Sequence, residues 1–522
     1  MLLKGKKVKL AAGAALIAGM LAGGPVMAQK SKDTLRMGLH EQVRIMSLVF
    51  NPRPETGLFV RASEDSLFSY NAKTAKFEGL LAKSWKWLND TTVEIKLKKG
   101  VKWHDGQEFD ADDVVYTVSF LIDPKIRMRF KSSYIWMARA EKVDKHTVRI
   151  IARKPFGAAM ARLGVTIGMF PEHVLGALKV KSDFGKAPIG TGPYKFTRIA
   201  PGKGVTMVRN KDFKHGTAGK PAGRIGKIDG ISIPSMQTQM AQMSIGNLDL
   251  MHGVPNDLAN AMMGNPKFSR SVTTGINFFY MAIDASGRSG NKPLENIKVR
   301  EALMRAIDRK LLANQVVPGG NASHVIPAIC MKVQTGCDYS TEPPAFDRAK
   351  SKKLLAEAGL SGGFDVVINS FPGAYSVAEA VGGELRKVGV RAKINKLSFA
   401  AYRKAQARGK QQILVAHWSS GGLPDASSTM NYWFAKSKKG QWSGRNYWHD
   451  EVINKLRIKA AGIMDPAKRR ALYKEAYDRP NTQRYIMPIA LRPGVFIHTK
   501  EVQMETVVIS PIGFRMEGFS WK

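Results

Sequence analysis

Apolar and polar positions alternate through residues 91 to 103, with Val93, Ile95 and Leu97 before Gly100 and Val101 and Trp103 after it. That period of two predicts a β-hairpin turning at Lys98-Lys99-Gly100. The pattern then changes. In Phe109-Asp110-Ala111-Asp112-Asp113-Val114, Asp110 is placed to cap a helix, Asp112 and Asp113 to complement its positive end, and Phe109 to pack onto Val114. Asp123-Pro124 marks the end of that helix. The three aspartates could also be read as a metal site, but a place in the first helical turn favours capping over coordination.

A longer legible run begins at Phe364. Phe364-Asp365-Val366-Val367-Ile368 predicts a buried strand, and Val377, Ala380, Val381, Leu385 and Val388 follow at helical spacing up to Gly389. Val390, Ala392 and Ile394 alternate as a strand, a second helix spans Phe399 to about Arg408, and Ile413-Leu414-Val415-Ala416 closes the run as a third strand. This order implies parallel strands joined by crossover helices, an α/β fold. In such open sheets ligands bind beyond the carboxyl ends of the strands. Here the last strand leads into His417-Trp418-Ser419-Ser420-Gly421-Gly422-Leu423-Pro424-Asp425. Small residues leave room for a guest there, and the Trp418 indole can cover an apolar or sugar-like face of it. Burial of Trp418 in a core is the competing reading. Pro188-Ile189-Gly190-Thr191-Gly192-Pro193-Tyr194 gathers turn formers and predicts a domain junction. A phosphate loop would need Gly-Lys-Ser/Thr where Pro193 and Tyr194 stand.

The N-terminus adds a compartment. Lys4, Lys6, Lys7 and Lys9 precede an apolar run from Leu10 to about Met20, and Val26 and Ala28 stand three and one residues before Gln29. This is the pattern of an export signal cleaved after Ala28. Glycines interrupt the run, which falls short of the ~20 residues of a membrane span, and no later stretch reaches ~18 apolar residues. No cysteine near the cleavage site offers a lipid anchor, so a soluble periplasmic protein is expected. Cys330 and Cys337 are the only two cysteines. An oxidising compartment favours their pairing into a closed loop, with free thiols as the alternative; a zinc site would need further ligands nearby.

The formal charge of +39 is spread along the chain rather than clustered, and an exported protein meets little nucleic acid, so none is expected as a partner. The charge can draw in anionic solutes or hold the protein near anionic head groups. Catalytic motifs fail: His40-Glu41 has no second histidine at zincin spacing, and neither a Gly-x-Ser-x-Gly elbow nor an EF-hand loop occurs. No enzyme activity, cofactor or resident metal is expected. A secreted hydrolase and a basic periplasmic chaperone or adaptor stand as the alternatives.

Several segments, taken in order, resemble the large extracytoplasmic solute-binding proteins (family 5) of peptide, nickel and related ABC importers. They are Leu81-Ala82-Lys83-Ser84-Trp85, Gly100-Val101-Lys102-Trp103-His104-Asp105-Gly106, Asp112-Asp113-Val114, and the Gly190-Thr191-Gly192-Pro193-Tyr194 junction. Val299-Arg300-Glu301-Ala302-Leu303 with Ala306-Ile307-Asp308-Arg309, and Asp347-Arg348-Ala349-Lys350 with Leu354-Leu355-Ala356-Glu357-Ala358-Gly359, complete the set. The resemblance implies a two-lobed α/β periplasmic binding protein of the three-domain type. After a signal peptide at 1–28, domain I would comprise 29–72, 196–285 and 495–522, with domain II inserted at 73–195 and domain III at 286–494. It also implies a monomer that traps a small-molecule solute between lobes joined by two strands and hands it to the permease subunits of an ABC importer.

In peptide-binding members, the tryptophan matching Trp418 is followed three residues later by an aspartate that pairs with the peptide α-ammonium. Here that position is Gly421. A buried ammonium without a counter-charge is costly, so an ordinary peptide is disfavoured unless Asp425 or Glu41 takes over. The expected contacts are Trp418 by stacking, Asn277, Tyr280 and Tyr402 by hydrogen bonds, His417 and His40 as further lining, and Asp425 or Glu41 toward a cation. Peptides, oligosaccharides, opine-like compounds and metal chelates all stay open, with anionic or neutral compounds favoured.

Overall fold

The computed structural model describes residues 33–319, 322–420, 422–436, 441–506 and 514–522. The expected signal peptide and Gly421 lie outside the described residues. Among those residues no helix is long and apolar enough to cross a membrane.

Two α/β sheets organise the chain. The first has seven strands in the order Phe268–Thr273, Gly494–Thr499, Leu250–His252, Thr34–Leu39, Lys227–Ser232, Gly204–Arg209 and Tyr194–Ala200. Its central strand, Thr34–Leu39, is buried at every position, as expected of a strand covered on both faces, and runs parallel to Lys227–Ser232 and Leu250–His252. The second sheet orders Arg391–Lys396, Asp365–Ser370, Ile413–Ser419, Asn277–Ile283 and Ile486–Leu491. Its first three strands are parallel and are joined by helices Tyr375–Arg386 and Phe399–Ala407, matching the strand and helix order expected from 364 to 416.

The second sheet separates two cores by side-chain alternation. Phe279, Met281 and Val415 face one; Phe278, Tyr280, Ala416 and Trp418 face the other.

A separate four-stranded antiparallel sheet orders Ala82–Asn89, Thr92–Leu97, Thr147–Ala152 and Met137–Asp144. The hairpin expected around Lys98-Lys99-Gly100 is corrected here: Thr92–Leu97 pairs with the preceding Ala82–Asn89 strand, so the tight turn falls at residues 90–91. Trp85 and Trp87 face Ile95 and Val93 across that ladder. The alternation identified the strand, but its partner lay upstream. Helix Ala111–Ile122 begins as expected. The Asp110 carboxylate accepts the Asp112 N–H at 2.9 Å, and the Asp113 carboxylate accepts the Asp110 N–H at 3.2 Å, closing a capping box. Asp113 also accepts from Trp103 Nε1 at 2.9 Å, so these carboxylates serve the helix end.

The chain passes between the two large sheets at two neighbouring places, residues 274–276 and Arg492-Pro493. The strands flanking these crossings pair with each other on both sides, Phe268–Thr273 with Gly494–Thr499 and Asn277–Ile283 with Ile486–Leu491, and the Arg492 N–H donates to the Asn277 carbonyl at 2.9 Å. Asn277–Ile283, which the expected domain edge at 285 assigns to domain I, is a fully buried interior strand of the second sheet. Elsewhere the lobes touch directly. The Gly157 N–H donates to the Ala461 carbonyl at 2.9 Å, Arg469 Nη1 donates to the Gly157 carbonyl at 3.0 Å, and the Tyr70 hydroxyl donates to the Val333 carbonyl at 3.1 Å.

Candidate functional site

The strand expected to end at Ala416 continues through Ser419, with His417 and Trp418 paired to Phe279 and Phe278. Continued pairing fixes the two side chains on opposite faces of the sheet. Trp418 is 7% exposed and its ring lies 5.4 Å from Phe278 and 5.7 Å from Trp433, centroid to centroid. The indole thus forms the outer wall of an aromatic cluster at the sheet's carboxyl end. His417 packs edge-on against Phe371 at 5.0 Å and Phe279 at 6.1 Å. Burial, reinforced by the Arg492 guanidinium, pushes its pKa down to about 3, so the ring is neutral at working pH.

The loop after the strand is held from several sides. The Ser420 N–H donates to the Ile276 carbonyl at 3.1 Å, tying the loop to the first crossing. Cys330 and Cys337 form a disulfide, as expected. The loop it closes pairs with the site loop: the Thr335 N–H donates to the Pro424 carbonyl, the Ala426 N–H to the Thr335 carbonyl, and the Gln334 side chain to the Asp425 carbonyl.

Asp425 does not meet the expectation of a free counter-charge. It ion-pairs with Arg469 at 2.6 Å, with side-chain exposures of 1% and 2% respectively, and accepts the Ser427 N–H at 2.9 Å. An aspartate already neutralised by a buried guanidinium offers a ligand cation little. Tyr280 and Tyr402, expected as hydrogen-bonding contacts, are buried at 1% exposure each. Tyr280 packs on Trp433 at 5.1 Å, and the Tyr402 hydroxyl accepts from Gln406 Nε2 at 2.8 Å. Asn277 is buried beside the crossings, where its carbonyl receives Arg492.

His40 and Glu41 follow the carboxyl end of the Thr34–Leu39 strand in the other lobe. Glu55 organises them: its carboxylate accepts the His40 and Glu41 N–H groups at 2.8 and 2.9 Å and pairs with His252 Nε2 at 2.7 Å. His40 Nε2 bonds the His252 carbonyl at 2.7 Å. His40, Glu55 and His252 are the one histidine–carboxylate group among the described residues whose ligand atoms cluster closely enough for a metal. These atoms already satisfy one another and the backbone, which is a structural role. Burial and the neighbouring Glu55 raise the Glu41 carboxyl to about 7, so it is a poor anion near neutrality.

Two features escaped the sequence. One is Arg469, which reads as a surface cation on a polar helix. The other is Arg492, whose only signal is its place between two apolar strands.

The geometry is that of two sheets with their carboxyl ends flanking paired crossings. The family model described as bacterial extracellular solute-binding proteins, family 5 Middle, matches residues 76–441. The chain belongs to this family. It is similar to heme-binding protein A of Haemophilus influenzae, 28% identical over 481 residues, covering 86% of this chain and 84% of that protein. Di/tripeptide-binding protein 1 of Pseudomonas aeruginosa is 27% identical over 445 residues, covering 78% of this chain and 80% of its own. The crystal structure of a dipeptide-binding protein from Pseudoalteromonas in complex with Met-Leu superposes with a TM-score of 0.76 at 22% identity, covering 94% of this chain and 100% of that one. The fold of this solute-binding protein is thus the two-lobed periplasmic-binding-protein fold.

Proposed function

We propose that this solute-binding protein works in the periplasm after removal of residues 1–28, captures a small organic solute between its lobes as a monomer, and delivers it unchanged to the permease subunits of an ABC importer. The four-stranded unit corresponds in this reading to the inserted domain at 73–195, and the second sheet with its helices to the other lobe. The observation that carries the reading is the pair of adjacent crossings, with lobe-to-lobe hydrogen bonds at Gly157–Ala461, Gly157–Arg469 and Tyr70–Val333. Two bodies joined by a narrow double connection rotate about it, and contacts between them define a closed state that a bound solute favours. Moving an ensemble from 1:99 to 99:1 requires the solute to favour closure by about 5.5 kcal/mol. Trp418, His417 and the disulfide-braced loop are the wall offered by the second lobe; Glu41 and His40 are offered by the first.

The solute is a small organic compound without a required ammonium group. Position 421 is glycine, Asp425 is spent on Arg469, and Glu41 is half-protonated near neutrality. Native mass spectrometry of the protein as isolated from the periplasm tests this. A stoichiometric co-purified small molecule is expected; a protein that carries none and stays unshifted in melting temperature with periplasmic extract contradicts the reading.

A further inference from the structure

The chain as a whole carries about two basic residues for each acidic one, 81 against 42. Between Leu385 and His449 that balance breaks: thirteen lysines and arginines stand against a single acid, Asp425. Asp425 is buried and claimed by Arg469, so it cancels none of the surface charge. This stretch includes the edge strand Arg391–Lys396, helix Phe399–Ala407 and the loop through residues 443–446. Ala392 and Ile394 pack against the core on one side of the sheet, so strand alternation turns Arg391 and Lys393 to the other. The helix buries Tyr402 on that second side and exposes Lys404 and Arg408. Arg391 is paired with Asp365, but among the described residues Lys393, Arg403, Lys404, Arg408, Lys410 and Arg445 have no ion pair.

A cavity of about 310 Å³ opens on this basic face, lined by Arg403, Gln406 and Ala407 from the helix and by Ser443, Gly444 and Arg445 from the loop. Arg288 ties the two walls together, its guanidinium donating to the Gly444 and Asn446 carbonyls at 3.2 and 2.8 Å and to the Ala407 carbonyl at 3.5 Å. Neither arginine of the lining meets a counter-charge. Arg403 Nη1 donates to the neutral Gln406 Oε1 at 3.1 Å, and the Arg445 guanidinium stands over the Tyr432 ring at 4.4 Å. Such stacking holds a guanidinium in place and leaves its N–H edge for another partner. Ser443 Oγ and Arg445 Nε are buried without a hydrogen-bond partner. The cavity is separate from the solute loop. Arg288 follows the Asn277–Ile283 strand, whose Ile283 pairs with Ile413, which puts the cavity beside the amino end of the Ile413–Ser419 strand. Trp418 stands about 16 Å further along that strand, at its carboxyl end.

We propose that this cavity holds the phosphate of an anionic lipid headgroup, and that the basic face around it rests the second lobe on the membrane surface. Two guanidiniums bind phosphate oxygens through charge-assisted hydrogen bonds, and Ser443 and Gln406 offer polar groups to a headgroup's hydroxyls. The volume lies at the lower end of the range for small-ligand pockets, more than a bare phosphate fills. The unpaired cations also extend well beyond the cavity, where one small soluble anion cannot reach them but an array of headgroups can. This goes beyond solute capture and depends only on export to the periplasm.

The test uses the full mature chain in flotation and calorimetry with vesicles of phosphatidylcholine alone and of phosphatidylcholine mixed with phosphatidylglycerol, at fixed ionic strength. Wild type is expected to bind the mixed vesicles and not the neutral ones. Arg403→Gln/Arg445→Gln is expected to weaken that binding by on the order of 10- to 30-fold. Lys352→Gln/Lys353→Gln removes the same charge from exposed positions of helix Arg348–Glu357, outside the patch, and is expected to change it by less than about 2-fold. Ala407→Glu adds a carboxylate at an exposed lining position and keeps both arginines; a loss like that of the arginine variant is expected, which keeps the inference testable if that variant does not fold. Free glycerol 3-phosphate is expected to compete with the mixed vesicles. Equal losses from the two double variants, equal binding to both kinds of vesicle, or binding of glycerol 3-phosphate or inorganic phosphate without vesicle binding overturns it. The co-purified solute is expected to bind Arg403→Gln/Arg445→Gln as it binds wild type; a parallel loss of solute would assign the cavity to the solute site and overturn the lipid reading while leaving solute capture standing.

Discussion

Asp425 shows how one residue can be legible in sequence yet misassigned in role. Its place after a glycine-bearing loop fits a ligand counter-charge, but Arg469, 44 positions away, claims the carboxylate at 2.6 Å. Only the tertiary structure reveals the partner. Asp425→Ala leaves the Arg469 guanidinium buried and unpaired, so a loss of about 3–5 kcal/mol is expected in denaturant unfolding. A role as ligand contact alone would leave stability near wild type. Glu41 yields a pH dependence. Its carboxyl, raised to about 7 from an ordinary 4.5, binds its proton more tightly folded than unfolded. Its contribution therefore favours the folded state at low pH and is lost as pH rises from 4.5 through 7. Glu41→Gln is expected to gain in melting temperature relative to wild type as pH is raised from 5 to 8, with the two proteins converging toward pH 4.5. Tyr280 and Tyr402 could not be separated from cleft residues by pattern, because a buried strand carries the same apolar run whether its tip meets a ligand or its middle meets a helix.

At the scale of elements, the region from 364 to 416 was readable because its strands and helices are close neighbours both in sequence and in the sheet. The Asn277–Ile283 strand was not, since its partners are Ile413–Ser419 and Ile486–Leu491, more than a hundred residues on. Periodicity reports that a segment is a strand, not what it pairs with. The disulfide-closed loop between Cys330 and Cys337 is an element of the site in its own right, because Gln334 and Thr335 hold residues 423–426 in place. Replacing both cysteines by serine is expected to cost about 2–3 kcal/mol through the freed unfolded chain. Solute affinity should fall further than that global loss explains, measured by calorimetry well below the melting temperature. Unchanged affinity would show that the brace does not shape the site.

For the whole molecule, the proposed solute capture turns on closure, and Gly157 sits where the lobes meet. A Cβ there would lie 2.3 Å from the Ile463 carbonyl oxygen and 2.9 Å from Arg469, so under the proposed closure Gly157→Ala is expected to keep the protein folded while weakening solute binding by on the order of 10-fold, because it opposes this lobe-to-lobe contact. The two-lobed plan was legible from the order of short motifs. The pivot was not, because a crossing of three residues carries no periodic signal. The most direct test of closure over a solute is small-angle X-ray scattering on the protein stripped of its solute by reversible unfolding and then reloaded with the released small molecule, with occupancy verified by native mass spectrometry. A smaller radius of gyration is expected on reloading for wild type and a muted change for Gly157→Ala; an unchanged profile at full occupancy would contradict the account.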